Sequence, residues 1–417
     1  MRNHLSPIRL ARPSTRVLAA LTCLLLVAAC GTTDVETGET DNDTSSSGAD
    51  TGSTSADAGS NGAGSDGAGN DGAGSNGAGN DGAGSKDSAS ASSDAGATGQ
   101  DVAAHGDAGP ADTASSAPPT VHKSAKYAVE TKTAVVYGKA VVQAAWGKKK
   151  GQQIELKLDT YAPKGHAGGL KPAMIMIHGG GFVGGNRKNG AMVAQSRYLA
   201  ARGFFAASIT YRLAGSEGPI PAVWAAAAAA TPIPSIVKAM YLAGRDAKAA
   251  VRWLHANATK LGVDPNHIAI GGGSAGAYTA IGVGISKPSD LRDELTTQQD
   301  PTLATTHLKA SAKVSAIIDY WGGDGILQAL SVTGDGKSRF DKNDPPLAII
   351  HGTADPVVKF AEATKLKEAY EKSGAPFVYH PLKGAGHSAW NAKINGKTLN
   401  EFAFDFLVKH QKLKVIP

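Results

Sequence analysis

The chain has 417 residues, with 42 Lys and Arg against 36 Asp and Glu, for a formal charge of +6. That charge is unevenly laid out: residues 1–29 carry Arg2, Arg9, Arg12 and Arg16 and no acid, residues 30–120 carry fifteen acids against Lys86 alone, and residues 121–417 hold +16. A uniformly basic nucleic-acid-binding chain does not fit this layout, and only the last ~300 residues are composed like a globular domain with a substantial core.

Residues 1–16 are a positive leader, and Val17 to Ala29 is an apolar run broken only by Thr22. The run is short for a bilayer span of ~20 residues and suits the core of a signal peptide. It ends Val27-Ala28-Ala29-Cys30, which resembles the lipobox of bacterial lipoproteins. The expectation is a signal peptide over 1–29, lipidation of Cys30 and anchorage to the cell envelope, with Gly31 pointing to the outer membrane or cell surface. An Ala-x-Ala signal with a chance cysteine is the alternative.

Residues 60–84 repeat a five-residue unit five times, SNGAG through NDGAG. The unit has no large apolar side chain to stack, so it cannot build a solenoid core. Gly, Ser, Ala, Asp and Asn dominate 30–120, which reads as a flexible tether with an average span of roughly 50 Å. The two cysteines are Cys23 and Cys30, so residues 121–417 have none. No disulfide or thiolate metal site is expected in the folded domain.

From Tyr127 onward, strand and helix patterns alternate. Strands are predicted at 134–137, 154–161, 173–178, 204–211, 267–271, 313–320, 346–351 and 376–382. Helices are predicted at 190–202, 245–261, 275–285, 359–373 and 398–410. Ala173–His178 reads AMIMIH, a continuous apolar run expected of a strand buried on both faces. Such alternation predicts an α/β fold, a mostly parallel sheet with helices on both faces and ligands at the carboxyl ends of its strands.

The unusual residues lie at those ends. Gly272-Gly273-Ser274-Ala275-Gly276 fits G-x-S-x-G, a sharp strand-to-helix turn that lifts a serine above the sheet. His178-Gly179-Gly180-Gly181-Phe182 closes an earlier strand, and successive glycines let backbone N–H groups converge on one point. Asp355 follows the strand 346–351, and His387 follows 376–382. Ser, Asp, His is the chain order of a nucleophile, acid and base on this kind of sheet. Asp319 and Asp324 are alternative acids; His178 is read as structural in preference to a second base. Trp321 and Trp390 are candidates for an aromatic pocket or for buried packing. Asp246 is read as an anchor for its helix.

The stretches MIHGGGF (176–182), SITYRLA (208–214), DAKAAVRWL (246–254), LGVDPNHIAIGGGSAG (261–276), HGTADPVV (351–358) and GAGH (384–387) resemble a carboxylesterase of the α/β-hydrolase superfamily. The likeness is to hormone-sensitive-lipase-like and bacterial feruloyl-esterase-like enzymes, and it covers roughly 127–410. The resemblance implies Ser274 as nucleophile, His387 as base and Asp355 as acid. It also implies an oxyanion hole from the N–H groups of Gly180, Gly181 and Ala275, without cofactor or metal. Two departures stand out. Gly273 occupies a position that is often Asp, and residues 214–244 form a longer connection than usual. That connection is expected to be either a small lid, with Trp224 and Met240 lining the site, or a helical hairpin packed on the domain. Its prolines and Lys238 argue against a membrane span.

The expected organisation is therefore signal 1–29, tether 30–120 and α/β-hydrolase domain 121–417. The expected activity is hydrolysis of short-chain or aromatic acyl esters, small or polysaccharide-linked, by an envelope lipoprotein. A peptidase or acyltransferase of the same fold, or a tethered binding module with an idle triad, are the alternatives. Nucleic acid is not expected as a partner, and the sequence leaves the oligomeric state open.

Overall fold

The computed structural model describes residues 117–142 and 151–417. The expected signal peptide, the lipidation candidate Cys30 and the repeats at 60–84 lie outside the described residues.

The chain begins with β1 (Thr120–His122), β2 (Val129–Val142), β3 (Gln152–Pro163), β4 (Lys171–Ile177), α1 (Gly190–Ala200) and β5 (Phe205–Ile209). It continues with α2 (Ala222–Ala229), α3 (Pro234–Ala256), α4 (Ala258–Leu261), β6 (Val263–Gly273) and α5 (Ala275–Ile285). Then come β7 (Ala316–Tyr320), α6 (Gly325–Thr333), β8 (Leu347–Gly352), α7 (Ala361–Ser373) and β9 (Phe377–Leu382). The short strands β10 (Lys393–Ile394) and β11 (Lys397–Thr398), the helix α8 (Leu399–His410) and β12 (Lys414–Ile416) close the domain.

Eight strands form one sheet in the order β2-β3-β5-β4-β6-β7-β8-β9. The β2–β3 and β3–β5 pairs are antiparallel; every pair from β5–β4 to β8–β9 is parallel. Of the parallel strands, β4, β5, β7 and β8 are buried on both faces, as their apolar runs require. Alternation along β4 shows it directly. Ile175 and Ile177 enter the core beneath α3, α5, α6 and α7, while Met174 and Met176 enter the core beneath α1 and α8. Strand order turns back at β4, which pairs with β5 on one side and β6 on the other. A crevice opens at such a reversal, and it lies at the carboxyl ends of β4 and β6.

Several boundaries differ from the sequence reading. The first predicted strand is the middle of a much longer β2, whose bulges interrupt the periodic pattern. The helix predicted at 245–261 begins at Pro234, because proline at the first helical position starts a helix and does not break it. The strand predicted from 313 starts at Ala316, and Thr120, read as tether, already belongs to β1 through its pairing with Lys414.

Of the two readings of 214–244, a lid or a packed helical hairpin, the structure has the hairpin. Trp224 and Met240 are only 1% and 2% exposed and sit in the main core; Trp224 packs on Tyr241 with ring centroids 4.9 Å apart. They are packing residues of a helical hairpin, α2 and α3, laid on the domain. Among the described residues no helix is long and apolar enough to cross a membrane. Asp246, on α3, pairs through Oδ1 with Arg212 Nη2 at 2.7 Å, and both side chains are buried. Asp246 also accepts the Arg212 backbone N–H at 2.9 Å, so it anchors α3 to the chain leaving β5.

Candidate active site

The turn after β6 is fixed by backbone. Ser274 has φ 54° and ψ −122°, a conformation that costs a non-glycine residue about 1–3 kcal/mol. Its N–H donates to the Tyr320 carbonyl at 2.9 Å, tying the turn to the end of β7. A Cβ on Gly276 would overlap the Ile177 carbonyl and stand 2.6 Å from the His178 carbonyl. The first turn of α5 therefore lies directly on the end of β4, and only glycine permits that approach.

The loop after β4 runs against the same turn. A Cβ on Gly179 would be 3.3 Å from Ser274 Cβ, and Gly180 and Gly181 have φ 114° and 60°. The Gly180 carbonyl accepts the N–H groups of Val183 and Gly184, which folds the loop back on itself. Ala275 is the first residue of α5, so its N–H has no carbonyl to meet within the helix. His178, read as structural, is fully buried: its Nδ1 donates to the Gly179 carbonyl at 2.7 Å, and its ring stacks on Tyr211 at 4.2 Å. Burial lowers its pKa to about 4, so it is a neutral prop.

The acid and the second histidine come from the opposite side. Asp355 Oδ1 accepts the N–H groups of Val357 at 2.8 Å and Val358 at 2.9 Å. Its Oδ2 takes Nδ1–H of His387 at 2.8 Å, and Nε2 of His387 lies 3.0 Å from Ser274 Oγ. With Nδ1–H directed at the carboxylate, Nε2 is the atom left to accept the serine proton. Burial works to raise the Asp355 pKa, yet the hydrogen bonds from His351 and His387 overcome it and hold the carboxyl below the usual carboxylate range. The loops bearing the two residues are laced together: Ala354 N–H donates to the Ala385 carbonyl at 3.0 Å, and Gly384 N–H to Thr353 Oγ1 at 2.8 Å.

Ser274, His387 and Asp355 are thus brought into one hydrogen-bonded run, and neither alternative acid joins it. Asp319 lies within β7 and accepts the Gly322 N–H, whereas Asp324 accepts from Gln328 Nε2 at 2.6 Å. A cavity of about 590 Å³, lined by Asp324, Gln328, Arg339, Phe340 and Lys372 among others, includes none of the three residues.

Trp321 and Trp390 form an aromatic corner beside the turn. Their rings meet edge to face at 4.6 Å, and Trp321 stands edge-on to His387 at 6.2 Å. A Cβ on Gly273 would come within 2.7 Å of Trp390 Cζ2 and 3.4 Å of Trp321 Nε1. Gly273 is therefore matched to Trp390: the indole fills the space that a side chain before the serine would need. Two functional neighbours escaped the sequence reading. His351, which touches Asp355, was legible only as a histidine closing a buried strand, the pattern shared by His178. Tyr320, whose ring meets Trp390 at 5.0 Å, carried no signal beyond strand hydrophobicity.

The chain matches the BD-FAE family over residues 158–231 and 237–339, and the prolyl oligopeptidase family over residues 316–414. Among curated proteins it is similar to esterase LipC of Mycobacterium tuberculosis, 26% identical over 233 residues that make up 52% of each chain. It is also similar to esterase LipQ of the same organism, 25% identical over 193 residues, 39% of this chain and 42% of that one. The chain spans about half the length of these curated relatives. Among solved structures, a thermophilic esterase of Thermogutta terrifontis with propionate bound is 25% identical, covering 67% of this chain and 94% of that one with a TM-score of 0.47. A truncated carbohydrate esterase from gut microbiota is 22% identical, covering 71% and 99%, with a TM-score of 0.46. The BD-FAE match spans the strands that carry the serine turn and the prolyl oligopeptidase match spans the two later loops; both fall on the mostly parallel sheet that positions the site.

Proposed function

We propose that the chain is a serine ester hydrolase acting through Ser274, His387 and Asp355. The observation that carries the reading is the continuous contact from Ser274 Oγ through His387 to Asp355. Ser274 Oγ attacks the ester carbonyl carbon while His387 Nε2 takes its proton. Asp355 keeps His387 in the required tautomer and stabilises the imidazolium. The carbonyl oxygen becomes an oxyanion held by the N–H groups of Gly180, Gly181 and Ala275, where one donor contributes about 3 kcal/mol to the transition state. The alcohol leaves with the proton from His387, and water then repeats the sequence to release the acid from the acyl-enzyme.

The substrates proposed are short-chain or aromatic acyl esters, free or carried on polysaccharide. The Trp321–Trp390 corner beside the serine turn supports an aromatic group, and the relatives named as esterases support an oxygen leaving group. The match to the prolyl oligopeptidase family supports a second reading, a peptidase using the same three residues. We further propose that the enzyme is held on the cell envelope by a lipid on Cys30, with the residues between Cys30 and β1 as a tether; the lipobox-like VAAC sequence supports this.

Hydrolysis of p-nitrophenyl esters from acetyl to palmitoyl, of methyl ferulate and of aminoacyl amides tests the reading. Turnover of the shorter or aromatic esters is expected, and turnover of amides alone would favour the peptidase. Substituting Cys30→Ser should move the protein from the membrane fraction to the soluble one; unchanged partition would remove the anchor.

A further inference from the structure

The loop that carries Gly180 and Gly181 between β4 and α1 is strained and held from outside. Gly180, Gly181 and Phe182 have φ of 114°, 60° and 63° in succession, and a left-handed Phe is costly unless its surroundings enforce it. Phe182 is buried, and its carbonyl accepts the Ala214 N–H at 2.8 Å. Tyr211 OH donates to the His178 carbonyl at 2.9 Å, and the Arg187 N–H donates to Thr210 Oγ1 at 3.1 Å. A fourth tie is charged. Arg187 Nε–H donates to Asp159 Oδ1 on β3 at 2.7 Å, with the two side chains only 11% and 4% exposed.

Such a pair is a poor device for stability, since desolvation of both charges offsets their attraction. What it fixes is geometry. We propose that Asp159 and Arg187 are positioning residues, a clamp that sets the N–H groups of Gly180 and Gly181 for the oxyanion. This inference rests on the ester-hydrolase reading. Asp159 lies opposite Ser208 of β5, so its carboxylate is anchored in the sheet. The same Oδ1 accepts the Ala134 N–H at 2.8 Å, at a bulge of β2 where Ala134 has φ 55°. Two N–H groups on one oxygen aim it, and Arg187 carries that fixed point to the far end of the loop.

Between Gly181 and Arg187 the chain has little slack. The N–H groups of Val183 and Gly184 both return to the Gly180 carbonyl. Gly185 has φ 93° and lies so close to His178 that a Cβ there would overlap Nδ1. A shift of Arg187 is therefore passed to the Gly180–Gly184 turn and is not absorbed by free backbone. Val183 is 59% exposed on that turn, so its own side chain does little to hold it. An error of about 1 Å in placing groups at the reacting centre can cost about 10²-fold in rate. A ground-state ester carbonyl, which carries less charge than the oxyanion, depends less on those donors. The clamp thus acts on kcat and leaves KM.

The test is the hydrolysis of p-nitrophenyl butyrate by the full chain as wild type, Arg187→Met, Asp159→Asn and Asp159→Leu, with Ser274→Ala as control. Inhibition by a butyl trifluoromethyl ketone, on which addition of a serine creates an oxyanion, is measured in parallel. Arg187→Met and Asp159→Leu should lower kcat at least about tenfold with KM nearly unchanged. Ki for the ketone should rise by the factor by which kcat/KM falls. Asp159→Asn keeps the Oδ1 acceptor and should stay within about threefold of wild type. The pH profile of kcat/KM should keep its shape throughout, because His387 is untouched. If Asp159→Leu does not fold, Arg187→Met decides. Wild-type kcat and Ki in Arg187→Met would overturn the inference and leave the ester-hydrolase reading standing. So would a fall in melting temperature with kcat unmoved, or an Asn variant as impaired as the Leu variant. No turnover in wild type, or equal turnover in Ser274→Ala, would overturn both.

Discussion

At the ends of β4 and β6 the site is made of backbone: a strained serine, glycines that let two segments touch, and N–H groups at a loop and a helix start. At the ends of β8 and β9 it is made of side chains, a carboxylate between two imidazoles. The first half positions atoms by excluded volume and is indifferent to pH. The second positions them by hydrogen bonds whose strength depends on which groups carry protons. Damage to the two halves should therefore look different: loss of fit in one, loss of the right protonation state in the other.

The largest expected effect is in the side-chain half. Asp355→Asn should leave the fold in place yet lower kcat about 10⁴-fold, because the amide favours the wrong tautomer of His387; steady-state kinetics of the folded variant would show it. The backbone half should respond in stability. Gly276→Ala forces a Cβ against the Ile177 and His178 carbonyls and should cost about 3 kcal/mol, read as a lower denaturation midpoint. An unchanged midpoint would mean that the glycine is not needed for close approach.

Gly273→Ala sits where the halves meet. Its Cβ must displace Trp390, so the kcat/KM ratio of methyl ferulate to a plain acetyl ester should shift by about tenfold. The smallest effect is on stability against pH. The folded pKa of Asp319, about 7, lies above the ordinary 3.8, so the unfolded chain releases this proton first. Stability then falls as pH rises from about 4 to about 7 and levels off beyond. The melting temperature of Asp319→Asn minus that of wild type should accordingly widen across that window and stay constant above it.

The backbone half was the more legible in sequence. G-x-S-x-G and HGGGF are constrained by sterics that act within a few residues, and a chain that needs a Cβ-free approach has to write glycine there. Asp355 and His387 were legible as the first acid and the first histidine after two successive strands, and their pairing follows from strand order. The rest depends on contacts distant in sequence. β1 and β12 join residues 120–122 to 414–416 through three-residue strands with no periodicity to detect. The Trp224–Met240 segment left lid and packed hairpin open, because its alanines and prolines hide a helix whose apolar face belongs to the core. His351 was read as part of a motif, since nothing in a sequence shows which oxygen a buried imidazole will meet.

The central claim is that Ser274 is the attacking atom of an ester hydrolase. Mass spectrometry of the intact protein after brief exposure to p-nitrophenyl butyrate, with and without Ser274→Ala, tests it most directly. The account predicts a transient butyryl adduct on the Ser274 peptide, with turnover of the ester in wild type and neither in the variant. Equal turnover by the variant, or a wild type that neither acylates nor turns over any ester in the series, would contradict it.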